Sequence, residues 1–216
     1  MLKLKEVTKV FEKNLLALDK ISFQMERGEF FYLVGPNQAG KTTLLRLLAF
    51  EENVTEGEIV FDDFDSRTIR KKEIPLRRRK MGRIFYDFRL INDINIFDNV
   101  ALSLRILGRK ENKIKDKVRQ VLEMVSLLGK SGFYPHDLSA GEKQKVAIAR
   151  AIAKDPLLLL ADEPTLNLDE KSQEEILCLL KQVNLLGTAV LLATHDLSLC
   201  KDNSAKILRI EKGKLV

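Results

Sequence analysis

Gly35-Pro36-Asn37-Gln38-Ala39-Gly40-Lys41-Thr42 has the spacing GxxxxGK[ST]. It follows an apolar run, Phe30-Phe31-Tyr32-Leu33-Val34, and opens a helix expected over 41–50. In a loop so placed, main-chain N–H groups and the helix start cradle anionic phosphate. A lysine at this point reaches β- and γ-phosphates, and the Thr42 hydroxyl is suited to Mg²⁺. The plainer alternative is a strand-to-helix turn with an exposed lysine.

A second apolar run, Leu157-Leu158-Leu159-Leu160-Ala161, ends in Asp162-Glu163. A buried strand that delivers acids at its C-terminal end puts them at the ligand crevice of an open α/β sheet. Asp162 is suited to hold Mg²⁺ through water, and Glu163 to polarise an attacking water. Acids that follow strands are often merely solvated; the phosphate loop is what raises this pair. Leu138-Ser139-Ala140-Gly141-Glu142 precedes a long helix. Ser139 and Glu142 have the S-x-x-E spacing of a capping box, and the same helix start can serve as an anion site. His195 follows a strand expected over 189–194, built on a third apolar run, Ala189-Val190-Leu191-Leu192-Ala193; a lone histidine there is more often structural.

These residues need an α/β frame. Leu2-Lys3-Leu4-Lys5-Glu6-Val7 and Ile21-Ser22-Phe23-Gln24-Met25 alternate as half-buried strands. The run 30–34 is apolar throughout, as in a covered sheet, and 58–61 is a further short strand. The middle, 90–153, reads as helical, with Val118, Val121, Leu122, Val125 and Leu128 on one face. Strand–helix alternation returns over 157–194, and 206–216 reads as two short strands around Lys212-Gly213. The expected fold is a single α/β domain, 1–216, with an antiparallel N-terminal β-subdomain and a helical subdomain inserted at 90–153.

The composition fits a globular chain of one domain: 216 residues, 45% hydrophobic, net charge +6. No apolar run approaches the ~20 residues of a membrane helix, and the N-terminus lacks a signal peptide's apolar stretch. The expected location is cytoplasmic. Cys178 and Cys200 form no metal-ligand pattern. The basic runs Arg70-Lys71-Lys72 and Arg77-Arg78-Arg79-Lys80 suit either a solvated face or a surface against anionic headgroups. They lack the interleaved aromatics of a nucleic-acid module, so no nucleic-acid partner is expected.

Taken together, the motifs resemble the ABC-type ATPases over nearly the whole chain. The signature is Leu138-Ser139-Ala140-Gly141-Glu142 followed by Lys143-Gln144-Lys145-Val146-Ala147-Ile148-Ala149-Arg150-Ala151. Asn167-Leu168-Asp169 matches the family's D-loop, and Thr194-His195-Asp196 its switch histidine. The resemblance implies a P-loop NTPase core of ABC type that hydrolyses ATP with Mg²⁺. ATP would contact Phe11 through adenine and residues Gly35, Pro36, Asn37, Gln38, Ala39, Gly40, Lys41, Thr42 and Thr43 through phosphate. Thr42 and Asp162 would bind the metal, and Glu163 and His195 would be catalytic. Two copies would pack head to tail, so that Ser139, Ala140, Gly141 and Glu142 meet the ATP of the opposite copy. An integral membrane subunit would dock at the inner face of the cell membrane, where this chain is peripheral.

Within the family, Glu73-Ile74-Pro75-Leu76-Arg77-Arg78, Ile84-Phe85-Tyr86-Asp87 and Phe97-Asp98-Asn99-Val100-Ala101 are similar to the branch that serves cell division. Lipoprotein-release and macrolide-efflux ATPases are close rivals. Three residues depart from the family pattern. Gln38 and Ala140 stand where glycine is usual, and Tyr86 stands at the Q-loop position of a glutamine. A phenol is a poor Mg²⁺ ligand, so turnover is expected to be slow, and a nucleotide-sensing module with little turnover is the alternative. Phe85, Tyr86 and Phe88 suit an exposed aromatic anchor for the membrane subunit.

Overall fold

The computed structural model describes residues 1–200 and 205–216. The alternation at the N-terminus resolves as β1 (Leu2–Phe11), whose Leu2, Leu4 and Val7 are buried while Lys3 and Lys5 are exposed. It lies between β2 (Leu15–Met25) and β4 (Glu56–Phe61), antiparallel to both, and β5 (Phe64–Asp65) pairs with β4. The order of this sheet is β2-β1-β4-β5.

The apolar runs form a second sheet. It contains β3 (Phe30–Val34), β6 (Met81–Ile84), β7 (Leu158–Asp162), β8 (Ala189–Thr194), β9 (Lys206–Glu211) and β10 (Lys214–Leu215), in the order β10-β9-β3-β8-β7-β6. All its pairings are parallel except β10 with β9. Every residue of β3, β7 and β8 is buried, because helices or the other sheet cover both faces.

Alternate strand residues feed two cores. Leu158, Leu160 and Leu191 pack with Leu44 and Leu45 of α1 (Lys41–Leu48) and with Leu4, Leu18 and Ile21 of the antiparallel sheet. Leu159, Ala161, Val190 and Leu192 face the other way. They meet α3 (Ile96–Ile106), α4 (Glu111–Met124), α5 (Ala140–Ile152) and α6 (Glu170–Leu185). Val118, Val121, Leu122 and Val125 are buried as their spacing requires, and Leu128 packs at the edge of that core. Helix α2 (Ile74–Arg78) precedes β6.

Three features differ from the sequence reading. β6 carries Gly82 and Arg83 after a basic run, so nothing in its composition marks a strand; it is the edge of the parallel sheet. Helix α1 stops at Leu48, and Phe50 lies beyond it in the left-handed region, at φ 54°. In the run 77–80, Arg77, Arg78 and Lys80 make contacts within the fold, while Arg79 stays exposed. Arg78 donates to the Ala49 and Phe50 carbonyls at 3.1 and 2.7 Å, capping the end of α1. The Arg77 guanidinium lies over the Phe64 ring, and Lys80 pairs with Asp62.

Candidate functional site

The loop 35–40 delivers the chain into α1 with Gly40 at the N-cap, φ 107°, and no side chain capping the helix start. A Cβ at Gly40 would come within 2.8 Å of the Ala17 carbonyl, so only glycine fits. The first-turn N–H groups of α1 are thus left open to an anion. Lys41 is buried; its ammonium donates to the Gly35 carbonyl at 2.7 Å and the Pro36 carbonyl at 3.1 Å. Ala39 is buried and its N–H bonds back to the Pro36 carbonyl. Gln38 has φ 67°, so the side chain sits on a backbone that glycine adopts at no steric cost.

The parallel register places the acids. Asp162 pairs with Ala193, and the Glu163 N–H donates to the Ala193 carbonyl at 2.9 Å, which brings Glu163 abreast of the end of β8 and of His195. Thr42 Oγ1 donates to Asp162 Oδ1 at 3.2 Å. Burial pushes the Asp162 carboxyl above its ordinary range, with the Thr42 hydrogen bond opposing. Glu163 is left-handed at φ 45°. Its Oε2 lies 3.0 Å from His195 Nδ1. Its Oε1 is buried, has no hydrogen-bond donor, and lies 3.3 Å from Lys41 Nζ in an ion pair.

A cleft of about 640 Å³ joins these groups, with Phe11, Lys41, Thr42, Tyr86, Asp162 and Glu163 among its walls. Asn37, Gln38, Gly40 and Thr43 line it too. The aromatic trio at 85–88, expected as an exposed anchor, is not uniformly exposed. Tyr86 is exposed and lines the cleft, whereas Phe85 and Phe88 are half-buried.

Ser139, Ala140, Gly141, Glu142 and Asp169 do not line this cleft. Ser139 Oγ accepts from the Glu142 N–H at 3.2 Å, and Glu142 Oε2 accepts from the Ser139 N–H at 3.1 Å, which completes the capping box. Lys130 pairs with Glu142 and, as the largest cause, holds its carboxyl below the usual range. Ala140 is the first residue of α5 and has no positive φ, so the local strain that an alanine there could bring is absent. Gly141 lies close against α6 instead: a Cβ would stand 2.7 Å from Ser172 Oγ and 3.1 Å from its Cβ, so Ser172 would have to shift. Asp169 caps α6, accepting from the Ser172 N–H at 3.0 Å and its hydroxyl at 2.6 Å.

Sequence reasoning missed two arginines near the site. Arg83, mostly buried on β6, pairs with Glu51 at 3.0 Å. Arg150, on α5, donates to the carbonyls of Phe88 and Arg89. Its one sequence signal is a lone charge within the otherwise apolar stretch 146–153.

An uncapped phosphate loop on a parallel sheet, with acids ending one strand and a histidine ending the next, defines a nucleotide-hydrolysing P-loop core. The capped helix after 138–142 gives it the ABC form. The chain belongs to the ABC transporter family, whose model matches residues 18–166, and it is an ATPase that binds adenine nucleotide. It is 40% identical, over its whole length, to the cell division ATP-binding protein FtsE of Bacillus subtilis, spanning 95% of that protein. Against FtsE of Escherichia coli it is also 40% identical, spanning 97%. The methionine import ATP-binding protein MetN of Haemophilus influenzae is 40% identical as well, with 64% of it covered. Among solved structures, the ATP-binding cassette MJ0796, dimeric and bound to ADP and Pi after hydrolysis, superposes with a TM-score of 0.89. It is 33% identical, with 100% of this chain and 96% of that one covered.

Proposed function

We propose that this chain is the FtsE-like, ATP-hydrolysing half of a cell-division complex, and that it works as a homodimer on an FtsX-like integral membrane subunit. The division of labour at Glu163 carries the chemical part. One carboxylate oxygen is held by His195, and the other is buried without a donor beside the Lys41 ammonium. That second oxygen is placed to accept a proton from water, while Lys41 and the open start of α1 hold the phosphates. As the water oxygen bonds to the γ-phosphorus, its proton passes to Glu163. The bond to the β–γ bridging oxygen breaks, and ADP leaves with that oxygen. His195 holds the carboxylate in place. Phe11 supplies a ring against adenine.

The donor set fits Mg²⁺: a hydroxyl and a buried carboxylate, both hard oxygens, touch at Thr42 and Asp162. Among the described residues, no group of three or more His, Cys, Asp or Glu side chains is arranged to hold a metal ion by itself. When bound, Mg²⁺ would neutralise phosphate charge.

Two observations support the assembly. The signature residues stay out of this chain's own cleft, and the similar cassette MJ0796 is dimeric. No helix among the described residues is long and apolar enough to cross a membrane; in this reading the membrane-spanning part is a separate subunit. The reading places the chain peripherally on the inner face of the membrane. Its 40% identity to MetN keeps a transport role as the second reading.

Glu163→Gln keeps the shape and removes the base. Turnover should fall by about 10²–10⁴-fold, with ATP still bound and a dimer accumulating in size-exclusion chromatography. Near-normal turnover would remove Glu163 from the role. Co-purification of the membrane subunit decides between the division and transport readings.

A further inference from the structure

The segment that carries Tyr86 leaves the end of β6 and turns sharply. Phe88 and Arg89 are consecutive non-glycine residues in the left-handed region, at φ 59° and 48°. Such a pair is costly and persists only where the surroundings hold it. What holds it is Arg150. Its two terminal nitrogens donate to the successive carbonyls of Phe88, at 2.7 Å, and Arg89. Both hydrogen bonds end on main-chain carbonyls, and burial pushes the guanidinium down from its ordinary pKa. The planar fork of arginine suits two adjacent acceptors, which a lysine ammonium does not reproduce.

A second set of contacts fixes the other end of the turn. The Arg89 and Arg83 guanidinium groups lie over the Phe85 ring, 3.8 and 4.6 Å from its centre. Arg83 is itself tied to Glu51. Tyr86 is thus flanked by a restrained ring on one side and a clamped turn on the other, and is the exposed member that reaches the cleft.

We infer that Arg150 is a positioning residue for Tyr86: its fork on the carbonyls of 88 and 89 sets where that ring stands on the wall of the cleft. Ser139 caps the start of α5, and Arg150 lies about 16 Å further along the same rigid helix. The inference rests on the ATPase reading for its consequence, but the clamp itself is testable without nucleotide.

The chain has no tryptophan, so Tyr86→Trp installs a single fluorescent reporter on the loop. In that background Arg150→Lys, which keeps the charge and loses the fork, should raise acrylamide quenching about twofold and lower anisotropy. The circular-dichroism spectrum should be unchanged. In the chain that retains Tyr86, Arg150→Lys should lower kcat about tenfold and leave the ATP dissociation constant within about threefold. Unchanged quenching overturns the clamp whatever the activity. A looser loop with unaltered kcat overturns the positioning role. Equal losses in kcat and ATP affinity mean a general structural role, and overturn it as well. Arg89→Ala provides the arm that is safe for folding, because Arg89 is exposed. It should loosen the reporter in the same direction, and a reporter indifferent to both substitutions refutes the proposal.

Discussion

Helices α1 and α5 both begin at a glycine-bearing motif, yet their N-termini are built in opposite ways. At α1 the N-cap is Gly40, with no side chain to accept from the first-turn N–H groups. At α5 the cap is complete, with Ser139 and Glu142 satisfying each other's main chain. The orphan donors of the first helix are left for a ligand; those of the second are partly consumed by the protein. The surroundings follow the same division. Around α1 the chain supplies a cleft whose walls include Lys41, Thr42, Asp162 and Glu163, with Lys41 paired to Glu163, Thr42 bonded to Asp162, and His195 behind Glu163. The start of α5 lies outside that cleft. One helix start is open and lies in a cleft; the other is capped by its own side chains and lies outside it.

The strongest way to break this contrast is Lys41→Ala. Its ammonium is the charge held at the open helix start, and the loop amides alone leave much phosphate charge uncompensated. ATP affinity should fall at least about tenfold, since charge-assisted hydrogen bonds contribute roughly 1.5–3 kcal/mol each. A titration with unchanged affinity would mean that the uncapped start of α1 does not hold the phosphates.

Tyr86→Gln sharpens the cleft's side of the comparison. An amide can accept from water and offer a carbonyl oxygen to a cation, which the phenol does poorly. Turnover should rise by about tenfold, equivalent to ~1.4 kcal/mol of barrier. A steady-state assay in which turnover falls would show that the phenol serves the reaction better than an amide does.

Ser139→Ala probes the capped helix. Loss of the cap should cost about 1 kcal/mol of protomer stability in denaturant unfolding, with ATP affinity of the isolated protomer nearly unchanged. If it weakened nucleotide binding as much as Lys41→Ala, the two helix starts would not differ as described.

Gln38→Gly has the smallest expected effect. It releases a left-handed residue, a gain of roughly 1 kcal/mol, partly offset by the glycine's larger entropy loss on folding of roughly 0.5–1 kcal/mol. A thermal melt should move up slightly or stay in place. A marked fall would show that the Gln38 side chain makes a contact of its own.

The sequence by itself determined what local chemistry and periodicity encode. The apolar runs at 30–34 and 189–194 are strands with those limits, because a strand covered on both faces must be apolar throughout. Lys41, Thr42, Asp162, Glu163 and His195 were legible because each ends or follows such a strand in a recognisable motif. The Ser139–Glu142 box was legible because a cap is made within four residues. Tertiary structure alone decided the rest. The edge strand β6 owes its conformation to pairing with β7, since its Gly82 and Arg83 carry no strand pattern. That Oε1 of Glu163 has no hydrogen-bond donor, while Lys41 ion-pairs with it, depends on parallel register between β7 and β8 and on the turn into α1. Lys41 and Glu163 stand 122 positions apart (163 − 41), and no local pattern encodes their contact. The same holds for Arg150: within its helix it is one more basic residue, and its partners at 88 and 89 are main-chain carbonyls, which any amino acid presents alike.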